Sequence, residues 1–389
     1  MRKGWEYKKL GEVCEVVTGT TPKTNIPEYW GKGHYWITPA ELNDTTVYID
    51  KTERQITDEA LSKTKLRLLP VGTVLLSSRA PIGKVAIANA EMYCNQGFKN
   101  CICSEAINNK YLFYFLRLKK DYLNSLGRGA TFKEISKSIV ESIKIPLPPK
   151  STQLAIVSEL DKINELIRLK KEQLKDFDNL AQSLFYEMFG DPVENEKGWE
   201  VKKLNDICDV RDGTHDSPKY LQNSEYILIT SKNIVNGSID FENVNYISEE
   251  DYIKINKRSK VDNGDIIMPM IGTIGNPIIA HIDGTHKFCI KNVALIKFLA
   301  DSTVNNMFIV NLMRCSSFSS YLLNQNKGGT QKFVALGAIR KLPILLPPLS
   351  LQRLFAQRIE QIEREKSEVQ KSIQDLETLL ASRMQYWFE

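Results

Sequence analysis

Residues 151–188 read STQLAIVSELDKINELIRLKKEQLKDFDNLAQSLFYEM, and this stretch decides the fold. Apolar side chains recur in it at seven-residue steps, in one row from Ile156 and in a second row from Leu160. Two such rows form the seam of a coiled coil, so the stretch is predicted to be one long helix that packs on another. Residues 351–387 repeat the pattern 199 residues later, with rows from Phe355 and Ile359. The sequence therefore predicts that these two helices pair with each other.

The seam residues of both helices are expected to make this pairing. They are Ile156, Leu160, Ile163, Ile167, Leu174, Phe177 and Leu184 in the first helix, and Phe355, Ile359, Ile362, Val369, Ile373, Leu376 and Leu380 in the second. Each seam also holds one lysine, Lys170 or Lys366. Such a lysine either fixes the register of the pair or carries its charge out to water along its apolar stem. Leu166, Leu169 and Phe185 lie off the seam and are expected to face outward, where they could dock partner proteins.

The two helices belong to a tandem repeat. Gly4-Trp-Glu-Tyr-Lys-Lys-Leu10 returns as Gly198-Trp-Glu-Val-Lys-Lys-Leu204, and Ile145-Pro-Leu-Pro-Pro149 returns as Ile344-Leu-Leu-Pro-Pro348. Because prolines hold the chain extended, each long helix is predicted to begin just after its proline pair. The chain is thus predicted to consist of a globule (1–145), a helix (146–190), a second globule (191–343) and a second helix (344–389).

The globules are predicted to mix strands and helices. Runs 72–78, 84–88, 265–270 and 293–298 are rich in residues typical of strands, and one helix is expected over 110–126 and another over 305–323. The predicted fold class is α+β. It comprises two α/β globules separated by two long helices that pair as an antiparallel coiled coil, in a tandem repeat with pseudo-twofold symmetry.

Composition narrows the class of protein. The chain has 389 residues, of which 42% are hydrophobic and 25% are charged, so a folded protein with several packed domains is expected. No apolar run approaches the roughly 20 residues that span a bilayer, and the first residues lack the apolar core of a signal peptide. We therefore expect a cytoplasmic protein without a membrane partner.

The charge of the chain is unevenly distributed. The formal net charge is +5, and residues 1–149 hold 22 Lys and Arg against 15 Asp and Glu. Such an excess fits a polyanion partner as well as a merely soluble basic surface.

No motif in the sequence predicts catalysis in this chain. The glycine-rich stretch Gly272-Thr-Ile-Gly275 lacks the Lys-Ser/Thr of a phosphate loop and the glycine spacing of a dinucleotide site, so it is interpreted as a turn. The proline pairs lack the Asn or Asp and the aromatic residue of an adenine methyltransferase loop. His281, His286 and Cys289 are close in sequence, but few other ligands remain to complete a tetrahedral site. Neither catalytic residues nor a metal site are predicted.

Polar side chains instead gather in loops at matching places of the two repeats. Arg, Lys, Asn and Gln read base edges, whereas Ser, Thr and backbone amides hold phosphates. Any one loop could be an ordinary solvated turn, so the prediction rests on the recurrence. The candidate DNA contacts are Thr20, Thr21, Lys23, Thr24, Ser78, Arg79, Lys84, Asn95, Gln96, Lys99, Arg128, Thr131 and Lys133 in the first globule, and Thr214, His215, Lys219, Lys232, Asn233, Lys291, Asn292, Lys327, Thr330 and Lys332 in the second.

The complete pattern resembles the DNA-specificity subunit of type I restriction-modification systems. The resemblance lies in the two Gly-Trp-Glu openings, the proline pairs before the long helices and an early glutamine in each helix, Gln153 and Gln352. It covers essentially the whole chain. The stretch 271–275 departs from it, because the arginine of Ser78-Arg79 has no counterpart there.

The resemblance implies that DNA recognition and catalysis belong to different subunits. It implies that two variable domains each read one half of a split site in double-stranded DNA, while the helices set the spacer and bind two methyltransferase subunits and, through them, restriction subunits. It also implies that this chain is not an enzyme and needs no cofactor, and that S-adenosylmethionine, ATP and Mg are used by the partner subunits. A type IIB-like specificity subunit and a coiled-coil adaptor without DNA function are the alternatives.

Overall fold

The computed structural model describes residues 4–389 apart from 80, 130–132, 236, 273, 300–301 and 325–332. The chain divides into two compact units, one formed by Met1–Lys171 with Lys371–Glu389 and the other by Glu172–Gln370. Each unit thus combines one globule with part of both long helices. The domain boundaries expected from the sequence separate helices from globules, and they stay a prediction.

The first globule contains short strands and short helices. The strands are β1 (Glu6–Lys9), β2 (Cys14–Thr18), β3 (Trp30–Ile37), β4 (Tyr48–Ile49), β5 (Arg54–Ile56), β6 (Val74–Leu76), β7 (Val85–Ala88), β8 (Tyr93–Cys94), β9 (Lys99–Cys103) and β10 (Lys144–Leu147). The helices are α1 (Leu10–Val13), α2 (Asp58–Lys63), α3 (Asn109–Leu118), α4 (Lys120–Leu126) and α5 (Lys137–Ser142), and α6 (Lys150–Phe189) follows. One sheet has the strand order β2-β9-β6-β7-β4, a smaller one has the order β5-β3-β8, and β1 pairs with β10.

The second globule repeats this plan. Its strands are β11 (Val201–Lys203), β12 (Cys208–Asp212), β13 (Tyr226–Ile229), β14 (Ile234–Val235), β15 (Ser238–Ile239), β16 (Asn245–Ile247), β17 (Ile266–Pro269), β18 (Ile278–Ile279), β19 (Lys287–Ile290), β20 (Val293–Phe298) and β21 (Pro343–Leu345). Its helices are α7 (Leu204–Ile207), α8 (Glu249–Ser259), α9 (Asn306–Arg314), α10 (Ser316–Asn324) and α11 (Leu336–Arg340), and α12 (Leu349–Phe388) follows. The sheets have the orders β12-β20-β17-β18 and β16-β13-β19.

In each globule the larger sheet is buried on both faces. Val74 and Leu76 of β6 pack in one core with the aromatic side chains of α3, whereas Leu75 packs in another with Ile37 of the smaller sheet. Alternate residues of a strand point to opposite faces of the sheet. A strand that is covered on both faces therefore needs apolar residues at consecutive positions. The single helices predicted for 110–126 and 305–323 are each divided, at Lys119 and at Cys315.

The long helices run antiparallel within each unit, as predicted. In the first unit Glu159 of α6 binds Arg383 of α12, and Lys171 of α6 lies 2.7 Å from Glu377, so partners farther along one helix lie earlier in the other. In the second unit Asp178 of α6 binds Lys366, and Phe185 contacts Phe355 earlier in α12. The seam residues Ile156, Leu160, Ile163, Ile167, Phe355, Ile359, Ile362, Val369 and Ile373 are buried, and Leu174, Phe177, Leu184, Leu376 and Leu380 are half-buried.

The structure decides the environment of one seam lysine and of one residue off the seam. The Lys366 ammonium lies 2.8 Å from Asp178 on the other helix and 3.1 Å from Glu363 on its own, which supports a role in register. The prediction that Phe185 faces outward was wrong. Its ring is fully buried, with its centroid 5.0 Å from that of Phe189 and 5.6 Å from that of Phe308. Because α6 packs on α9 as well as on α12, its apolar face is wider than a two-helix seam.

A buried glutamine fixes the start of each long helix to its globule. The Gln153 side chain accepts a hydrogen bond from the Asn108 amide at 2.8 Å and donates to the carbonyl oxygens of Ala106 and Pro148, both at 3.0 Å. Gln352 makes the matching bonds to Asn305, Thr303 and Pro347. Both side chains are almost completely buried. The early glutamine noted in the sequence is thus a structural anchor.

Replacing Gln153 by leucine is expected to lower the free energy of unfolding by about 2–3 kcal/mol, because buried backbone groups lose their partners. Gln374→Leu is the matched control, since Gln374 lies on α12 in the same unit and is exposed. Urea unfolding of both variants measures the difference. If both substitutions changed the free energy of unfolding equally, the buried hydrogen bonds of Gln153 would make no net contribution to stability.

Candidate nucleic-acid interface

Four segments of the first globule converge on what we call the first loop cluster, formed by residues 20–24, 77–79, 95–99 and 128–134 as far as they are described. The Ser78 amide donates to the Gly97 carbonyl at 2.7 Å, and the Thr20 amide donates to that of Cys94 at 2.9 Å. Backbone β-bridges join Glu134 to both Arg79 and Arg128. Loops that are far apart in sequence therefore present their side chains together.

Glu134 organises the charges of the first loop cluster. Its carboxylate accepts hydrogen bonds from Lys99 Nζ at 3.0 Å and from Arg79 Nε at 2.9 Å. The Lys99 side chain is only 6% exposed, whereas that of Arg79 is 44% exposed. Partial burial alone would raise the pKa of Glu134, but the hydrogen bonds from Lys99 and Arg79 outweigh it and hold the pKa below its usual range. The carboxylate is therefore the counter-charge of a buried lysine.

The predicted contacts of the first globule fall into two groups. Ser78 and Lys99 are buried, and Lys84 turns its ammonium inward to the carbonyl oxygens of Pro39 and Leu42. These side chains hold the loops together: Ser78 and Lys99 do not reach the surface, and Lys84 is half-buried. Accessible side chains belong to Thr20, Thr21, Lys23, Thr24, Arg79, Asn95, Gln96, Arg128 and Lys133, and Thr131 lies outside the described residues. Their contact with DNA stays a prediction.

Gly19 permits the close approach on which the first loop cluster depends. A Cβ on Gly19 would overlap the carbonyl oxygens of Cys94 and Asn95. Gly213 occupies the matching place in the second globule, where a Cβ would overlap the carbonyl oxygen of Ile290. The backbone contacts agree, because Thr20 bonds to Cys94 in one globule as Thr214 bonds to Ile290 in the other. The two globules therefore share one loop framework.

The second loop cluster comprises residues 212–219, 230–233 and 291–292. The Thr214 amide donates to the Ile290 carbonyl at 3.0 Å, and the Asn292 amide donates to the Thr214 carbonyl at 3.2 Å. Lys291 is buried, with its ammonium 2.6 Å from Ser217 Oγ. Asn233 is also buried, and its side chain bonds to the backbone of Thr230 and Asn243. Accessible side chains belong to Thr214, His215, Lys219, Lys232 and Asn292, while Lys327, Thr330 and Lys332 lie outside the described residues.

A histidine and a buried carboxylate join the parts of the second loop cluster. His215 Nε2 lies 2.7 Å from Asp212 Oδ2, and its Nδ1 lies 3.1 Å from Asn292 Oδ1. Arg258 of α8 also binds Asp212, whose side chain is 8% exposed. The hydrogen bonds to Asp212 and Asn292 raise the pKa of His215, although partial burial and the Arg258 charge oppose the shift.

Sequence reasoning missed Glu134 and Arg258. Glu134 directly follows the predicted contact Lys133, so a carboxylate among candidate basic residues was a usable signal. Arg258 belongs to a helix far along the chain and carried no local signal. Within the described parts of the chain, no group of three His, Cys, Asp or Glu side chains is placed to hold a metal ion. None of the described helices is long and apolar enough to cross a membrane.

This arrangement defines a duplicated binding protein in which two related globules, each supported by an antiparallel helix pair, present separate polar loop clusters. A family model described as the type I restriction modification DNA specificity domain matches residues 2–176 and again residues 196–378. The chain therefore belongs to the family of DNA-specificity subunits of type I restriction-modification systems.

Individual relatives agree with this assignment. The type I restriction enzyme MjaIX specificity subunit of Methanocaldococcus jannaschii is 32% identical over 404 residues, which is 97% of this chain and 91% of the relative. The EcoR124I/EcoR124II specificity subunit of Escherichia coli is 32% identical over 168 residues, or 41% of each chain. These matches favour the type I class over the type IIB-like subunit and the adaptor without DNA function.

Solved structures support the fold. A chain from a structure on complex assembly and conformational transition of the type I R-M system has a TM-score of 0.63 and 17% identity, over 99% of this chain and 97% of that chain. The S subunit from M. genitalium has a TM-score of 0.53 and 14% identity, over 99% and 96%. The predicted fold class and the resemblance to specificity subunits are confirmed.

Proposed function

We propose that each globule reads one half of a split, asymmetric site in double-stranded DNA. The observation that carries this proposal is the pair of loop clusters, which share a backbone framework but present different side chains. Thr21 and Gln96 stand in the first where His215 and Asn292 stand in the second. Because base recognition depends on the donors and acceptors that each loop offers, different loops on one framework favour two different half-sites.

The accessible side chains of the two loop clusters are the proposed DNA contacts. Lysine and arginine neutralise phosphates, and amide side chains pair with base edges. Glu134 supports the interface indirectly, since it binds Arg79 and thereby fixes the direction of that guanidinium. The buried Ser78, Lys99, Asn233 and Lys291 and the half-buried Lys84 are proposed to shape the loops from within.

The long helices are proposed to set the separation of the half-sites and to dock two methyltransferase subunits. Each helix has 40 residues and is therefore about 60 Å long. Leu166 and Leu169 are about half exposed, as the sequence predicted for outward positions. Other leucines of the same helices are similarly exposed, namely Leu154, Leu180, Leu354 and Leu379. Contiguous exposed apolar patches are typical of protein-binding surfaces, and these leucines are proposed to contribute to such a patch.

The chemistry of methylation and cleavage is proposed to belong to the partner subunits. Methyl transfer with S-adenosylmethionine, and cleavage with ATP and Mg, are proposed to take place in the methyltransferase and restriction subunits, while this chain supplies sequence recognition. A cytoplasmic location follows from this role, because the DNA to be modified is there.

Exchange of residues 11–144 for the same segment of a relative tests the half-site proposal. Methylation mapping of the exchanged complex is expected to show a new sequence in one half of the site and the original sequence in the other. Exchange of residues 205–342 is the matched experiment and should change the opposite half. A change of both halves by one exchange would refute independent reading.

A further inference from the structure

The two loop clusters are closed by clamps of different chemistry. In the first, the Thr21 hydroxyl donates to the Gln96 side-chain oxygen, a neutral bond that does not titrate near neutral pH. In the second, His215 and Asn292 occupy the matching places. We call this side-chain contact between two turns the clamp. It joins the turn after the first strand of the larger sheet to the turn after the last strand of the smaller sheet. Only the clamp of the second globule contains a titratable side chain.

Both ring nitrogens of His215 face oxygen acceptors, Asp212 Oδ2 at 2.7 Å and Asn292 Oδ1 at 3.1 Å. A neutral imidazole carries one N–H and can donate to one of these oxygens, whereas the imidazolium donates to both. Asn292 has φ 56°, in the left-handed region that non-glycine residues rarely adopt. The charged ring therefore holds the Asp212 loop to a turn that adopts an uncommon conformation.

The charges around His215 limit the size of the effect. Asp212 already binds Arg258 of α8, so it keeps a positive partner when the ring is neutral. Lys291 of the neighbouring turn is bound to Ser217, and Asp216 lies 3.9 Å from Lys254. The ring itself is 57% exposed, and solvent therefore screens its interactions. A moderate response is expected.

We propose that His215 is a positioning residue whose protonated form closes the second loop cluster, so that DNA binding by the second globule weakens as pH rises while binding by the first globule does not. This inference rests on the proposed reading of half-sites. The sign follows from the raised pKa, because the stabilisation is complete below the usual histidine value near 6.5 and is lost as pH rises through the higher folded value.

The first measurement follows the histidine rings directly. The chain has four histidines, so ring-carbon NMR resolves four titrations, and His215→Gln identifies the signal of interest. This signal is expected to titrate above the ordinary value of about 6.5. Asn292→Gly preserves the backbone conformation but removes one acceptor, so it should lower the midpoint. A His215 ring that titrates at or below the ordinary value overturns the proposal without reference to DNA.

The second measurement is DNA binding from pH 6 to pH 8.5, with the full chain in complex with its methyltransferase partner. The probes are a duplex with the site defined by methylation mapping and two duplexes in which one half of that site is scrambled. Affinity is expected to fall about fivefold wherever the second half is intact, a size appropriate to a partly exposed ionic hydrogen bond. It should stay constant on the duplex that retains only the first half.

Four variants separate the causes. His215→Gln should remove the pH dependence, and if it does not fold, Asn292→Gly should shift the dependence to lower pH. His34→Gln is the matched control, since His34 pairs with Asp58 at 2.8 Å in the first globule and belongs to neither loop cluster, and it should keep the wild-type slope. Thr21→Val should weaken binding of the first half at every pH. If the His215→Gln complex still binds DNA sequence-specifically and its affinity still falls as pH rises, this inference is overturned. If the wild-type complex shows no sequence preference, the proposed function is refuted instead.

Discussion

Replacement of Phe388 by alanine is expected to lower the free energy of unfolding of the first unit by about 3–5 kcal/mol, the usual range for removal of a buried phenylalanine ring. Phe388 is 3% exposed, and its ring centroid lies 5.0 Å from that of Tyr111 and 5.8 Å from that of Phe115. Trp387 stacks on Trp5 beside it, with centroids 6.3 Å apart. The end of α12 is thus part of the core of the first globule.

The repeat supplies a matched variant for this experiment. Phe189 is fully buried against Phe308 and Phe355 of the second unit, so Phe189→Ala should produce the same loss there. Leu379→Ala, at an exposed position of α12, should have little effect. Hydrogen exchange measured by mass spectrometry reports each unit separately, with faster exchange expected in α3 for Phe388→Ala and in α9 for Phe189→Ala. Protection of α3 that is unchanged by Phe388→Ala would contradict the prediction.

Replacement of Glu134 by alanine is expected to cost about 3 kcal/mol. Removal of one partner from a buried ion pair leaves the other charge without compensation, which typically costs about 3–5 kcal/mol, and the partial exposure of Glu134 places the effect at the lower end. Lys99 is the residue left behind, with Ser78 Oγ at 3.3 Å as its remaining neighbour. DNA binding by the first globule should fall as well, because Arg79 loses its fixed direction.

Lys99→Met provides the control, since a methionine of similar length has no charge to compensate. The double variant Glu134→Ala/Lys99→Met should be more stable than Glu134→Ala alone, and thermal unfolding of the four proteins completes the cycle. The lowered pKa of Glu134 adds a pH dependence with a defined sign. Its contribution is present above the ordinary glutamate pKa of 4.5 and is lost as pH falls through the lower pKa of the folded protein. Additive effects of the two substitutions would exclude the ion pair as the cause.

The sequence was sufficient for the parts of the fold that depend on periodicity and repetition. Heptad spacing predicted the helix pair, and the tandem repeat, with its duplicated Gly-Trp-Glu and Pro-Pro motifs, predicted the antiparallel direction of that pair and two related globules. It failed where a side chain depends on contacts from other elements. Phe185 lies off the heptad seam, yet α9 covers it, and Lys84 looked like a surface lysine although backbone carbonyl oxygens hold its ammonium. Residue type alone does not distinguish a lysine that binds phosphate from one that closes a loop.

The two units differ in how their chain segments are connected. The second is one continuous stretch, Glu172–Gln370, whereas the first needs Lys371–Glu389 to complete a core that begins near Trp5. During synthesis the second unit can therefore fold as its residues leave the ribosome. The first must wait, with part of its apolar surface uncovered, until Phe388 has been added. Long sequence separation between contacting residues slows folding, and exposed apolar surface promotes aggregation in the interval. The second unit can thus complete its core before the first, and the globule made first is the one whose apolar surface stays uncovered for longer.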